Sequence, residues 1–170
     1  MTHGPSLLGT GFTYTTEIRR HDGRIERAED HNLLPQEAID FVAGLLRGSE
    51  AAIGNWYVGL FESNTVPDAA FKAADLPNLL TECTAYDEAT RPAWTHSYDG
   101  KAVIDSLGNK ATFTFNQAKR IYGAFIVSTS TKGGSGGRLL SIARFASPKD
   151  IDAGEPFTLA AGLTLIPTSL

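Results

Sequence analysis

The clearest alternation of apolar and polar positions lies near the end of the chain. In Pro156–Leu165, Phe157, Leu159, Ala161, Leu163 and Leu165 take every second position, with Thr158, Ala160, Gly162 and Thr164 between them. A strand turns successive side chains to opposite faces, so this run presents one greasy face and one mild one. Ala111–Phe115, Arg120–Val127 and Leu139–Phe145 read as three further strands, joined by turn-rich segments. Upstream, Phe12, Tyr14, Thr16 and Ile18 alternate with polar neighbours, and Asp22-Gly23 supplies the positive φ angles of a tight turn before Arg24–Ala28. Asn55–Phe61 is apolar on both faces, as a covered central strand should be. Trp56, Val58 and Leu60 share one of its faces; Tyr57, Gly59 and Phe61 share the other, where the glycine leaves room for a neighbouring ring.

The period changes once. After Asn32-Leu33-Leu34-Pro35, apolar residues at Ala38, Ile39, Val42, Leu45 and Leu46 follow helical spacing, which predicts a short helix of about three turns lying on a sheet. Pro35 suits a first turn and Gly48 a stop. Residues 62–93 hold no sustained period: Pro67, Pro77 and Pro92 punctuate them, with short helical turns expected at Ala69–Ala74 and Leu79–Ala85. Irregular segments of this length usually carry contacts. Ala102–Ile104 lies between turns at Asp99-Gly100 and Gly108-Asn109, whereas Thr131–Gly137 is too glycine-rich to be rigid unless something orders it. The fold class expected is therefore mainly β: a jelly-roll-like β-sandwich over residues 12–170 with one short helix, one long irregular loop and a flexible arm at 1–11.

Fifteen basic against nineteen acidic residues leave a net charge of −4, with no basic stripe to replace counterions on phosphates. Arg19, Arg20, Arg24 and Arg27 lie among Glu17, Asp22, Glu26, Glu29 and Asp30, the composition of a solvated hairpin. Neither a nucleic-acid partner nor a membrane is expected, because no stretch approaches the roughly 20 apolar residues that span a bilayer. The first eleven residues lack the charged start and apolar centre of a secretory signal, so synthesis in a cytoplasm is expected. A single cysteine, Cys83, allows no intrachain disulfide and reads as a small buried hydrophobe.

Candidate chemistry is thin. Gly133–Gly137 precedes a strand where a phosphate loop precedes a helix, and its loose Gly-X-Ser-X-Gly match at Ser135 lacks the strained elbow a nucleophile needs. His3, His21, His31 and His96 show no metal-ligand spacing. The pairs Asp87-Glu88 and Glu29-Asp30 lie in polar runs where water keeps both carboxylates ionised. Most aromatics read as core, with Trp94 and Tyr98 flanking loops as the exceptions. No catalytic residue, metal or cofactor is expected. A carbohydrate-binding module or glycan hydrolase is the rival from another class.

One resemblance bears on function. Asn32-Leu33-Leu34-Pro35 before a short helix, Asn55–Phe61, Arg91-Pro92-Ala93-Trp94, Ala111–Phe115, Ile121–Ile126, Gly137–Ser141 and Ala153-Gly154-Glu155 occur in an order that resembles tailed-bacteriophage virion proteins, most of all capsid decoration or cement proteins. The resemblance implies a non-enzymatic chain, assembled in the host bacterial cytoplasm, that binds the outer capsid surface. Its implied partners are the major capsid protein and further copies of itself, as a trimer. A tail or tail-fibre-attachment role is the alternative the same resemblance allows. Contacts are then expected from the arm and the long loop, at Pro5, Leu7, Leu8, Pro67, Phe71, Leu76, Pro77, Leu79, Arg91 and Trp94.

Overall fold

A computed structural model describes residues 11–32 and 34–165. Two antiparallel sheets face one another. The first is built on β1 (Phe12–Arg19) and β2 (Ile25–His31), the hairpin turned at Asp22-Gly23. It also holds the short strands β5 (Ser97–Tyr98), β6 (Val103–Asp105) and β7 (Ala111–Thr114), and β10 (Pro156–Thr164). Its order is β2-β1-β10-β6-β5, with β7 also pairing β10. The second sheet runs β4 (Glu82–Cys83), β3 (Tyr57–Phe61), β8 (Lys119–Val127) and β9 (Leu139–Ile151), in that order.

Between the sheets lies the larger core. Phe12, Tyr14, Ile18, Phe113, Phe157 and Leu159 from the first sheet meet Val58, Leu60, Ile121, Ile126 and Phe145 from the second. The alternation that marked β1 and β10 thus faces one shared interior. A second core covers the opposite face of the second sheet, where Phe61, Phe125, Val127 and Ile142 pack against Ala73, Leu76 and Leu80. The long loop is therefore a third layer. It contains a 3-10 turn at Ala73–Asp75 where a helical turn was expected over 69–74, and β4 where one was expected over 79–85. Pairing of Cys83 with Leu60 of β3 overrides the local helical tendency there.

The expected cover on both faces of β3 is present, and so is the ring beside its glycine. A Cβ on Gly59 would lie inside the Phe125 ring, and one on Gly123 would meet Phe61, so two glycines on paired strands admit each other's aromatic neighbours.

The helix α1 (Gln36–Arg47) begins after Pro35 and stops at Gly48, whose φ of 70° lets its N–H reach back to the Leu45 carbonyl. Its expected buried face is corrected. Ala38, Phe41 and Gly44 point inward, with Phe41 edge-on to Trp56 at 5.7 Å, while Ile39, Val42, Leu45 and Leu46 are exposed. Glu37 fixes this rotation, because its carboxylate accepts hydrogen bonds from the Ala73 N–H at 2.9 Å and the Leu139 N–H at 2.8 Å. Those bonds tie the helix at once to the loop layer and to β9.

Of the sheet edges among the described residues, β9 is thirteen residues long and the others are short or guarded. β4 and β5 have two residues each. β2 turns Glu26 and Asp30 toward the interior side, opposite Ile18 and Tyr14, and Asp30 accepts a 2.6 Å hydrogen bond from the Ala146 N–H of β9. An edge amide of the second sheet is thereby closed by a carboxylate from the first.

Candidate functional site

Of the ten expected contact residues, Pro5, Leu7 and Leu8 lie outside the described residues. The others, on the loop layer and just beyond it, sort by depth. Leu76 and Arg91 are fully buried and Trp94 nearly so, which removes these three from a surface role. Phe71 is half-buried against the second core, Pro67 and Pro77 are half-buried, and Leu79 is exposed, as is Val66 nearby in the chain. Trp94 is held inward because its indole N–H donates to the Ala161 carbonyl at 2.9 Å while its ring meets Phe12 edge-on.

Arg91 explains the glycine-rich connection. Its guanidinium grips Glu82 with two bonds, Nε–H to Oε1 at 2.8 Å and Nη2–H to Oε2 at 2.6 Å. The remaining donors reach the Thr129 carbonyl at 3.0 Å and the Gly134 carbonyl at 2.8 Å, while the Gly133 N–H returns a bond to Glu82 at 2.9 Å. Fully buried charges persist only when paired and hydrogen-bonded, and here every bond reaches either the partner or the loop. Phe125 closes the underside, 5.3 Å from the guanidinium carbon. Lys132 completes the attachment by donating to the Tyr86 carbonyl at 2.8 Å with its ammonium 4.1 Å from the Tyr86 ring centre. The segment expected to move unless ordered is fastened to the body by a buried ion pair. Sequence gives Arg91 only as part of a motif, and Glu82 no signal at all.

A second network braces one end of the sandwich. Arg20 in the hairpin turn forms a bidentate pair with Glu26 and donates to Glu155 at 2.9 Å and to the Asp150 carbonyl at 2.6 Å. Glu155 also accepts from the Asp152 and His21 N–H groups. Burial pushes the Glu155 pKa up, but the hydrogen bonds from Asp152, Arg20 and His21 outweigh it, and the net direction is down. Arg120 holds Asp150 through two further bonds and lowers its pKa as well.

The groups weighed for chemistry have structural occupations. Burial pushes the Cys83 thiol up to about 12, leaving it protonated at neutral pH. Ser141, fully buried, accepts from the Tyr14 hydroxyl at 2.7 Å and the Asn32 amide at 2.5 Å, bonding the two sheets together. Glu88 accepts from the Thr114 N–H and hydroxyl, and Asp30 points away from Glu29 to the opposite face of β2. His96 stacks on Trp94 at 4.3 Å. Among the described residues no cluster of three or more His, Cys, Asp or Glu is placed to hold a metal ion, and no helix is long and apolar enough to cross a membrane.

Two concave surfaces stand out among the described residues. A groove of about 180 Å³ on the outer face of the first sheet is lined by Thr13, Thr15, Glu29, Asp105 and Leu107 over a floor at Gly162, and its lining holds no aromatic ring. An open cleft of about 560 Å³ separates α1 from the loop layer, between Gln36, Asp40, Ala70, Lys72 and Arg138. Beside that cleft runs the exposed apolar side of α1. What the geometry offers is a braced body with faces for contact. No protein-family model matches the chain, and no curated protein matches it in sequence.

Proposed function

We propose that this chain is a structural protein of a tailed-phage particle, a decoration or cement protein that binds the outer capsid surface and bridges neighbouring capsomers as a homotrimer. The observation that supports this reading best is the bracing. A load-bearing clip has to carry force between its contact faces without deforming, and here the segments that would yield first are tied down. The glycine-rich connection is fastened by the Arg91–Glu82 pair, the hairpin end by Arg20 with Glu155, and the two sheets by Tyr14 and Ser141. The two facing antiparallel sheets fit the sandwich part of this reading. Many copies per shell then add up modest individual contacts. The motif resemblance and this mechanical design point the same way.

The test is binding of the purified chain to genome-free shells of its phage, followed by heating. Saturable decoration with a raised rupture temperature is expected, and deletion of Met1–Gly9 should weaken it while leaving the thermal melt of the free protein unchanged. Antibody labelling confined to the tail would overturn the capsid reading in favour of a tail component. Absence of binding to either would overturn the virion reading itself.

A further inference from the structure

Helix α1 is apolar on two sides. With 3.6 residues per turn, Ala38, Phe41 and Gly44 occupy the buried arc, and Ile39, Val42, Ala43 and Leu46 form a separate stripe on the far side. Ile39 is 46% exposed, Val42 43% and Leu46 86%. Position spacings of three, four and seven are those by which one helix packs along another at a shallow angle. The stripe is also symmetric about its midpoint between Val42 and Ala43. An antiparallel copy therefore sets Ile39 against Leu46 at both ends alike, with Val42 beside Val42 and the small Ala43 beside Ala43 next to the axis.

Charge fits the same arrangement. Asp40 and Arg47 lie together on one flank of the stripe, both exposed, and among the described residues neither forms an ion pair within its own chain. Asp40 accepts only a side-chain amide bond from Gln36, at 2.8 Å. A two-fold axis perpendicular to an antiparallel helix pair keeps like flanks on the same side, so Asp40 of each copy falls beside Arg47 of the other, about 3 Å apart along the axis at a 1.5 Å rise per residue. In a parallel pair the two-fold runs along the helices and sets the two Asp40–Arg47 flanks on opposite sides of the seam, where they cannot pair.

The geometry points to a second copy of this chain as the occupant: α1 is an isologous contact in which Ile39, Val42 and Leu46 of two copies interdigitate and Asp40 pairs with Arg47 across the axis. This inference stands without the virion reading. One helix stripe is smaller than the roughly 800 Å² per partner of a standard interface, so the contact is a weak one that counts where copies are already concentrated.

Sedimentation of the full chain, up to millimolar concentration, tests it together with oxidative crosslinking. A reversible doubling of the sedimenting species, monomer to dimer or trimer to hexamer, is expected, with Leu46→Asp raising its dissociation constant about tenfold or more. Asp40→Arg and Arg47→Asp should each weaken association, and the double swap should restore it. Ala43→Cys, next to the axis, should crosslink faster than Ile25→Cys, whose residue is exposed on β2. All these positions are exposed, so the variants remain folded and circular dichroism confirms it. A chain that stays monomeric throughout, as it would if its own first ten residues or an unrelated protein covered the stripe, overturns the proposal. Association indifferent to Leu46→Asp does so too, and so does a charge swap no better than its single variants.

Discussion

Removing the carboxylate of Glu82 should be among the most damaging single changes in the protein. In Glu82→Ala the guanidinium of Arg91 loses two charge-assisted bonds, of 2.8 and 2.6 Å, and keeps two to backbone carbonyls. Arg91 is fully buried, so water cannot replace what is lost, and stripping one partner from such a pair costs about 3–5 kcal/mol. Against a net stability of about 5–15 kcal/mol that is a large share, and for a chain of this length it corresponds to a fall in Tm of roughly 6–20 °C. Replacing both partners by apolar residues of similar volume, as in Glu82→Leu with Arg91→Met, should recover much of the loss, because a buried pair contributes little net stability over a packed core. The double variant should nevertheless leave the Gly133 N–H and the Thr129 and Gly134 carbonyls without their partners. Denaturant unfolding measures the first effect and amide exchange across 129–137 the second. A Glu82→Ala variant within about 0.5 kcal/mol of the parent, or loop amides equally protected in the double variant, would refute the reasoning.

Trp56→Ala should cost about 3–5 kcal/mol, since it empties the site between Phe41 and the sheet, while Arg24→Ala on the exposed hairpin turn should melt with the parent; paired thermal melts decide. Gly59→Ala should destabilise by about 1–3 kcal/mol despite adding only a methyl, because the Phe125 ring occupies the space; a melt matching the parent would mean the ring can move aside. Stability should fall as the solution is acidified below about pH 4.5. Glu155, Glu26 and Asp150 have folded-state pKa values below their unfolded ones, so the unfolded chain takes up protons first and their contribution, full above that range, is lost as pH drops through it. Glu155→Gln should flatten this acid limb, and an unchanged slope in urea midpoints against pH would count against the network.

Local periodicity made the strands legible, and it failed where two readings share one pattern. Every second residue of β1 is buried as the alternation requires, and so are Phe157, Leu159 and Ala161 of β10, whereas Leu163 is half-buried, Leu165 exposed and the intervening Ala160 buried; Gly59 marked the approach of a ring. Along α1 the apolar positions fill two arcs. Ile39, Val42 and Leu46 outweigh Ala38 and Phe41 by hydropathy, yet Phe41 finds Trp56, and Glu37 finds two amides from distant segments, and these long-range partners set the rotation. Glu82 was illegible for the same reason. Its meaning depends on Arg91, nine residues away across an irregular stretch, and on loop carbonyls a further forty residues on. The loop's role as a covering layer likewise follows from Leu76 and Leu80, whose four-residue spacing is interrupted by Pro77 and so signals no regular element.

Guarded edges govern how this protein behaves when crowded. Bare strand edges fuse sheet to sheet, and the result is an open-ended fibre whose growth has no natural stop. With Asp30 turned inward on β2, and β4 and β5 only two residues long, backbone-to-backbone growth through those strands is disfavoured. On the second sheet the long edge strand β9 has two amides closed by carboxylates, Ala146 by Asp30 and Leu139 by Glu37, so a neighbour's strand would have to break those bonds to add along its length. Sheet-to-sheet growth is thereby confined to the one edge that is long.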